Sequence, residues 1–154
     1  MRGMTRHRHD RQQLQAAFEA ACEREGIRAT QQRREIYVTL ASSREHPDAE
    51  SLHLAVKERL PAISPDTVYR NLRVLERHGL VQKVGVTGHR TRFDADVRPH
   101  HHFVCRRCGM IRDVTAPALD DFRLPSSISG VGRVESRHVE LRGVCRSCAA
   151  ADET

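Results

Sequence analysis

The first 80 residues place apolar side chains at helical spacing, and glycine, proline and capping residues divide them into segments. In residues 12–25 the apolar positions recur at i, i+3, i+4 and i+7, and they are Leu14, Ala17, Phe18, Ala21 and Cys22. This spacing predicts an amphipathic helix. Gly26 follows it directly, as glycine does just past a helix end.

Three more helices are predicted before residue 80. Thr30 is placed to cap a second helix, whose apolar positions are Ile36, Tyr37 and Leu40. Asp48 caps a third, from Ala49 to Leu60, with inward positions Leu52, Ala55, Val56 and Leu60. Ser64-Pro65-Asp66 starts a fourth, because it combines a cap, a proline at the first helical position and an early acid. This helix, Pro65–His78, is expected to bury Val68, Leu72 and Leu75 and to end at Gly79.

After Gly79 the pattern changes to short β-like runs. Residues 80–86 and 90–95 read as two strands joined by a turn at Thr87-Gly88-His89. Helices followed by a basic hairpin have the order of a winged helix-turn-helix domain, which we assign to residues 1–92. Its recognition helix is Pro65–His78, and the side chains expected to bind DNA are Thr67, Tyr69, Arg70, Asn71 and Arg73, with Asp66 beside them. Arg90 and Arg92 on the wing are expected to reach phosphates or a minor groove.

The remainder, residues 93–154, is predicted to be mainly β, and the boundary falls near Thr91–Asp96. Residues 101–107 and 110–114 flank a Cys-x-x-Cys turn, and residues 133–144 supply the last β material. Ala116–Phe122 is expected to be a short helix and Leu124–Gly132 a loop. The predicted fold class is therefore α+β, a winged helix followed by a small α/β dimerisation domain.

The charge distribution separates the two parts. The chain has 26 Lys and Arg against 20 Asp and Glu, and residues 1–92 hold 17 of the bases and 11 of the acids. The whole excess of +6 thus lies in the first part, as expected where one domain meets a polyanion. Double-stranded DNA is the predicted partner. No apolar run approaches a membrane span and the N-terminus lacks the apolar core of a signal peptide, so we expect a cytoplasmic protein.

Four of the five cysteines form two Cys-x-x-Cys pairs, which are Cys105/Cys108 and Cys145/Cys148. Four thiolates make a closed tetrahedral zinc site, which is structural and not catalytic. Two disulfides are the alternative, but nothing indicates an oxidising compartment. Cys22 lies on an apolar helix face and is expected to fill the core.

The run His100-His101-His102 precedes the first cysteine pair on a predicted strand. Side chains alternate along a strand, so His100 and His102 share one face and His101 takes the other. Asp113 lies on the next strand, and Asp94 and Asp96 lie just upstream. A His-x-His with nearby carboxylates predicts a transition-metal site.

These residues resemble the ferric uptake regulator superfamily of dimeric, metal-dependent bacterial repressors. The resemblance covers nearly the whole chain, and its motifs are residues 26–33, 45–50, 67–72 and 100–108 together with the second Cys-x-x-Cys. It implies an N-terminal winged helix, a C-terminal dimerisation domain, a structural Zn(II) and a regulatory metal site. Within the superfamily the sequence looks most like the peroxide-sensing branch, since Asp94 and Asp113 stand where iron-sensing relatives usually have Glu.

By this resemblance, the regulatory Fe(II) or Mn(II) ligands are His46, Asp94, His100, His102 and Asp113. Imidazoles and carboxylates make a hard site that suits these ions. The resemblance further implies that peroxide and Fe(II) add oxygen to His46 and His100, and that loss of the ligands lifts repression at a palindromic operator. The protein is then expected to be a sensor and not an enzyme.

One departure concerns a further site that iron sensors often carry. Pro99 and His101 occupy its expected His and Asp places, and Arg137 stands where its late His falls, with His138 one residue out of register. We therefore expect no complete third site and a strand-surface or supporting role for His138.

Three alternatives stay open at the level of sequence. One is an iron- or zinc-responsive repressor of the same fold. Another is a metalloenzyme that uses His100, His102 and a carboxylate. The third is a zinc-stapled nucleic-acid module without regulation.

Overall fold

A computed structural model describes residues 11–87 and 90–151. The chain divides into two compact units, Met1–Val97 and Arg98–Thr154. The division falls five residues after the predicted boundary at 92/93, because the second wing strand continues through Phe93 and Asp94.

The first unit contains four helices and a hairpin. Its elements are α1 (Arg11–Glu25), α2 (Gln31–Ser42), α3 (Ala49–Lys57), α4 (Pro65–Arg77), β1 (Gln82–Thr87) and β2 (Arg90–Asp94). β1 and β2 pair antiparallel, which is the predicted wing, and the turn residues Gly88 and His89 lie outside the described residues. The predicted winged-helix order is confirmed.

The helix starts are set by the predicted caps. The side chains of Thr30, Asp48 and Ser64 accept hydrogen bonds from the backbone N–H of Arg33, Ser51 and Thr67, respectively. Each bond satisfies one of the N–H groups that a helix start leaves without an intrahelical acceptor. Gly79 ends α4 with a φ of 71°, a left-handed conformation that glycine adopts without steric cost.

The core of the first unit is built from all four helices and the wing. Phe18, Ile36, Val56, Val68 and Leu75 have no exposed surface. Two helix-face predictions were wrong, since Ala17 and Ala55 are exposed. α3 ends at Lys57 and not at Leu60, because the chain turns there before Pro61.

The second unit is a three-stranded sheet with short helices. Its strands are β3 (His101–Cys105), β4 (Ile111–Val114) and β5 (Glu140–Gly143), in the order β4-β3-β5. β3 pairs antiparallel with β4 and parallel with β5. Two α-helices, α5 (Pro117–Asp120) and α6 (Arg146–Ala150), and a 3-10 helix (Ser126–Gly130) connect and follow the strands.

The second unit corrects two predictions. Of the β material expected at 133–144 only residues 140–143 form a strand, because only they pair with β3. The predicted loop Leu124–Gly132 contains the 3-10 helix. None of the helices within the described ranges combines the length and apolar character that a membrane crossing requires.

Candidate metal centres and nucleic-acid interface

The four paired cysteines lie together in the second unit. Cys105 ends β3, Cys108 follows in the turn to β4, and Cys145 and Cys148 stand at the start of α6. The parallel pairing of β3 with β5 brings the two pairs together, since Cys105 lies opposite Gly143. This strand pairing therefore brings together two cysteine pairs that are far apart in the sequence.

The sulfur geometry suits a tetrahedral ion. The Sγ atoms of Cys108 and Cys145 are 3.7 Å apart. Zinc–sulfur bonds of about 2.3 Å give a tetrahedron whose edges are about 3.8 Å. No disulfide is formed by any of the five cysteines, all of which lie in the described ranges, and Cys22 is buried in the first unit. The four-cysteine cluster therefore fits a structural zinc.

The thiols of this cluster differ in acidity. Backbone N–H groups of Cys108 and Cys145 hydrogen-bond to the sulfur of Cys105 and lower the pKa of its thiol to about 6. Hydrogen bonds with the sulfur atoms of Cys145 and Cys108 raise the pKa of Cys148 to about 12. Four sulfurs in one place cannot all be thiolates unless a cation offsets their charge, so metal binding here releases protons.

The two histidines of the predicted His-x-His face one carboxylate in the second unit. His102 lies opposite Asp113 in the β3–β4 register. The Nε2 atoms of His100 and His102 are 3.3 and 3.4 Å from the same oxygen, Oδ1 of Asp113. Metal bonds of about 2.1 Å place neighbouring ligand atoms about 3.0–3.4 Å apart. Each histidine nitrogen is thus at ligand spacing from the Asp113 oxygen.

The hydrogen bonds of His100 fix its tautomer. Its Nδ1 is 2.7 Å from the carbonyl oxygen of Arg98, an acceptor, so Nδ1 carries the proton. In the neutral ring Nε2 then presents a lone pair, and the atom it faces is a carboxylate oxygen. The two electron-rich atoms attract each other only when a proton or a metal ion lies between them, so the pair is arranged as two metal ligands are.

His101 points to the other face of β3, as predicted, and is 2% exposed. Its Nδ1 accepts a hydrogen bond from the backbone N–H of Val139, so its Nε2 carries the proton and donates to Asp120, 2.8 Å away. Arg137 donates to the carbonyl oxygens of Asp120 and Phe122 and lies over the Phe122 ring. His101 therefore connects β3 to α5 and to the segment before β5.

His138 is exposed and lies outside the strands, beside the histidine run. Its Nδ1 donates to the carbonyl oxygen of His100 at 2.9 Å, and its ring centroid is 5.0 Å from that of His102. These contacts support the segment that carries the candidate ligands.

The remaining two candidate ligands lie in the first unit. His46 and Asp94 are both buried, and Nδ1 of His46 is 3.7 Å from Oδ2 of Asp94. His46 lies in the turn between α2 and α3, and Asp94 is the last residue of β2. Each unit thus holds a histidine–carboxylate cluster of its own.

The residues predicted to bind DNA divide into two groups on α4. Tyr69, Arg70 and Arg73 are exposed, and Tyr69 exposes 53% of its surface. Asn71 is turned inward, since its Oδ1 accepts from Nε of Arg33 on α2 and its Nδ2 donates to the carbonyl of Thr67. Thr67 is half-buried at the cap, where its hydroxyl contacts Ser64.

The wing arginines also make contacts within the first unit. The Nη1 atom of Arg90 reaches Oδ2 of Asp48 at 3.0 Å and Oε2 of Glu50 at 3.1 Å. Arg92 donates from Nη1 to the carbonyl oxygen of His46 at 3.2 Å. These internal roles, and those of Arg33 and Asp120, were not predicted, because a local sequence pattern does not indicate which distant group a long side chain contacts.

Taken together, these features define a class of protein in which a winged helix precedes a small, metal-binding α/β unit. The chain belongs to the ferric uptake regulator family, whose model matches residues 24–142.

Relatives and solved structures agree with this assignment. The chain is 36% identical to the peroxide operon regulator of Bacillus subtilis (strain 168) over 125 residues, covering 80% of this chain and 86% of the relative. The structure matches the Campylobacter jejuni peroxide stress regulator with a TM-score of 0.67 at 26% identity, covering 86% of this chain and 97% of that one. It matches a zinc uptake regulator complexed with zinc and DNA with a TM-score of 0.65 at 25% identity, covering 94% and 98%.

Proposed function

We propose that this protein is a dimeric, metal-dependent transcriptional repressor that senses hydrogen peroxide through oxidation of its own histidine ligands. The observation that carries the proposal is the pairing of His100 and His102 with one oxygen of Asp113, with the His100 tautomer set for metal binding. Relatives at this level of identity are peroxide regulators, which supports the choice of signal.

The regulatory site in this proposal joins the two histidine–carboxylate clusters. His46 and Asp94 come from the first unit, and His100, His102 and Asp113 come from the second. Together they would offer a divalent ion three imidazoles and two carboxylates, a charge-balanced set of ligands that suits Fe(II) or Mn(II). Because the ligands belong to both units, metal binding favours a single arrangement of the dimer, with its two recognition helices spaced for a palindromic operator.

Bound Fe(II) would supply the redox chemistry by which hydrogen peroxide passes one oxygen atom to an adjacent imidazole and leaves the other as water, whereas Mn(II) would be held by the same residues without that chemistry. His46 and His100 are the proposed oxidation targets. An oxidised imidazole is a poorer ligand, so its unit contributes one ligand fewer to the shared site. The affinity of the metal for the DNA-binding arrangement then exceeds its affinity for other arrangements by less. Because a ligand shifts an equilibrium only by its differential affinity, repression ends.

The DNA-binding surface in this proposal is the exposed face of α4. Tyr69, Arg70 and Arg73 would contact base edges and phosphates, and Thr67 and Asn71 would set the start and position of the helix. The excess positive charge of residues 1–92 favours a polyanion. We place the repressor in the cytoplasm, where its thiols stay reduced for zinc. Its sensing consumes ligands without turnover, so it is not an enzyme.

The test is operator binding by the zinc-loaded protein with Fe(II), Mn(II) or added Zn(II), each with and without peroxide. When peroxide is added, we expect only the Fe(II) form to release DNA. Mass spectrometry should then find one added oxygen on peptides containing His46 or His100. An Fe(II) form that keeps its DNA and its unmodified histidines would contradict peroxide sensing. Operator binding that depended on whether iron or zinc was present, and not on peroxide, would favour the alternative, an iron- or zinc-responsive repressor.

A further inference from the structure

Arg92 connects the wing to the turn that contains His46. It lies in β2, and its Nη1 donates to the carbonyl oxygen of His46. The next backbone N–H, that of Phe93, donates to the carbonyl of Pro47 at 3.1 Å, and Asp48 bridges antiparallel to Arg92. Residues 46–48 thus run alongside β2 as a short added strand.

The backbone of His46 is in an uncommon conformation. Its φ is 46°, and it is the one non-glycine residue with a positive φ among residues 11–87 and 90–151. Histidine in the left-handed region persists only where its surroundings hold it there. The bond from Arg92 is made to the carbonyl of this same residue, so it acts directly on the strained peptide.

We propose that Arg92 is a positioning residue for His46, holding the left-handed turn that aims the imidazole at Asp94. This rests on the proposed function, in which His46 and Asp94 are ligands. The same strand then serves both ligands of the first unit, since Arg92 fixes His46 and Asp94 follows two residues later. One hydrogen bond and one β-bridge thus connect the backbone at residues 46–48 to the wing strand.

Arg90 provides a matched control, because it lies on the same strand but contacts other groups. Its guanidinium meets the carboxylates of Asp48 and Glu50 at the start of α3 and not the His46 carbonyl. Removing Arg90 therefore weakens the attachment of the wing to Asp48, at the end of the 46–48 segment, and to Glu50, while leaving the bond from Arg92 to the His46 carbonyl in place. Arg92→Lys keeps a cationic donor in reach of the carbonyl and serves as the conservative variant.

The experiment measures Mn(II) affinity by titration of the full-length, zinc-loaded protein carrying Arg92→Ala, Arg92→Lys, Arg90→Ala or His46→Ala. For Arg92→Ala we expect about tenfold weaker binding, as is typical when a group that orients a ligand is lost. We expect Arg92→Lys to recover part of the affinity and Arg90→Ala to match the parent protein. A second measurement oxidises each Fe(II)-loaded variant with peroxide and compares oxygen addition at His46 and His100 by mass spectrometry.

In Arg92→Ala the ratio of His46 to His100 oxidation should fall several-fold, while zinc content and the unfolding temperature of the Mn-free protein stay near those of Arg90→Ala. Parent-like Mn(II) affinity and oxidation ratio in Arg92→Ala would overturn the positioning role. So would an equal loss of affinity in Arg90→Ala, because the effect would then belong to the wing as a whole. Parent-like affinity in His46→Ala would instead overturn the proposed function, and the positioning role with it.

Discussion

His100 and His101 are neighbours on the chain and carry their ring protons on different nitrogen atoms. His100 donates from Nδ1 to the carbonyl of Arg98, whereas His101 accepts at Nδ1 from Val139 and donates from Nε2 to Asp120. In its neutral form the first ring therefore offers a lone pair at Nε2, whereas the second offers a proton there. The first arrangement suits a metal ligand and the second suits a structural residue.

This difference can be measured by nitrogen NMR in the zinc-loaded protein without a regulatory metal. At a pH where both rings are neutral, we expect a protonated Nδ1 in His100 and a protonated Nε2 in His101. The physical reason is that a carbonyl oxygen cannot donate and a backbone N–H cannot accept. An Nε2-protonated His100 would contradict the assignment.

The two carboxylates that face the histidine run should differ in their effect on metal binding. Asp113→Asn removes the charge that faces His100 and His102, so we expect Mn(II) affinity to fall at least about tenfold. Asp120→Asn is the control, since its amide oxygen still accepts from His101, and its affinity should stay near that of the parent. Titration with Mn(II) while zinc content is monitored tests both variants. Equal affinities in the two variants would remove Asp113 from the ligand set.

Loss of one zinc ligand should destabilise the second unit. Cys145→Ser breaks the four-cysteine cluster, and structural zinc contributes an apparent binding free energy of about 10–16 kcal/mol at neutral pH in small zinc domains. We expect zinc content to fall from one ion per chain to none, and the second unit to unfold at lower urea concentration. Cys22→Ser is the control, because Cys22 lies in the first unit, apart from the four-cysteine cluster of the second. Burial also raises the pKa of its thiol. Its zinc content should be unchanged, and zinc retained in Cys145→Ser would disprove the assignment.

Two residues of α4 should separate stability from DNA affinity. Arg73→Ala removes an exposed cation, so operator affinity should fall about tenfold and the slope of log affinity against log salt by about 1, with unfolding unchanged. Asn71→Ala removes the acceptor of Arg33 and should cost about 1–2 kcal/mol in the free energy of unfolding. Salt-dependent operator binding and urea unfolding distinguish the two variants. A parent-like stability for Asn71→Ala would show that its amide is not structural.

Local pattern predicted the elements that depend on neighbours along the chain. Thr30, Asp48 and Ser64 cap helices as expected, because a capping side chain bonds to a backbone group only three residues away. The alternation of the histidine run was also predictable, since strand geometry alone sends His101 to the face opposite its neighbours. The exposed Ala17 and Ala55 show the limit of helical spacing, because small side chains fit either face of a helix.

The partners of long side chains were not predictable in this way. Arg90 and Arg92, which are expected to reach phosphates or a minor groove, also contact Asp48, Glu50 and the His46 carbonyl. Asn71, which is expected to bind DNA, also accepts a hydrogen bond from Arg33. A flexible side chain reaches several ångströms, so its partner depends on which distant segments the fold brings near.

By itself, then, the sequence determined the helix and strand order, the winged-helix class, the four zinc cysteines and the face that each histidine of the run occupies. These follow from periodicity and from ligand spacing, which are local properties. Only the tertiary structure decided the hydrogen-bond partners that set each histidine tautomer, the left-handed turn at His46 and the strand that holds it. These depend on groups that are far apart in the chain and meet only when the fold closes.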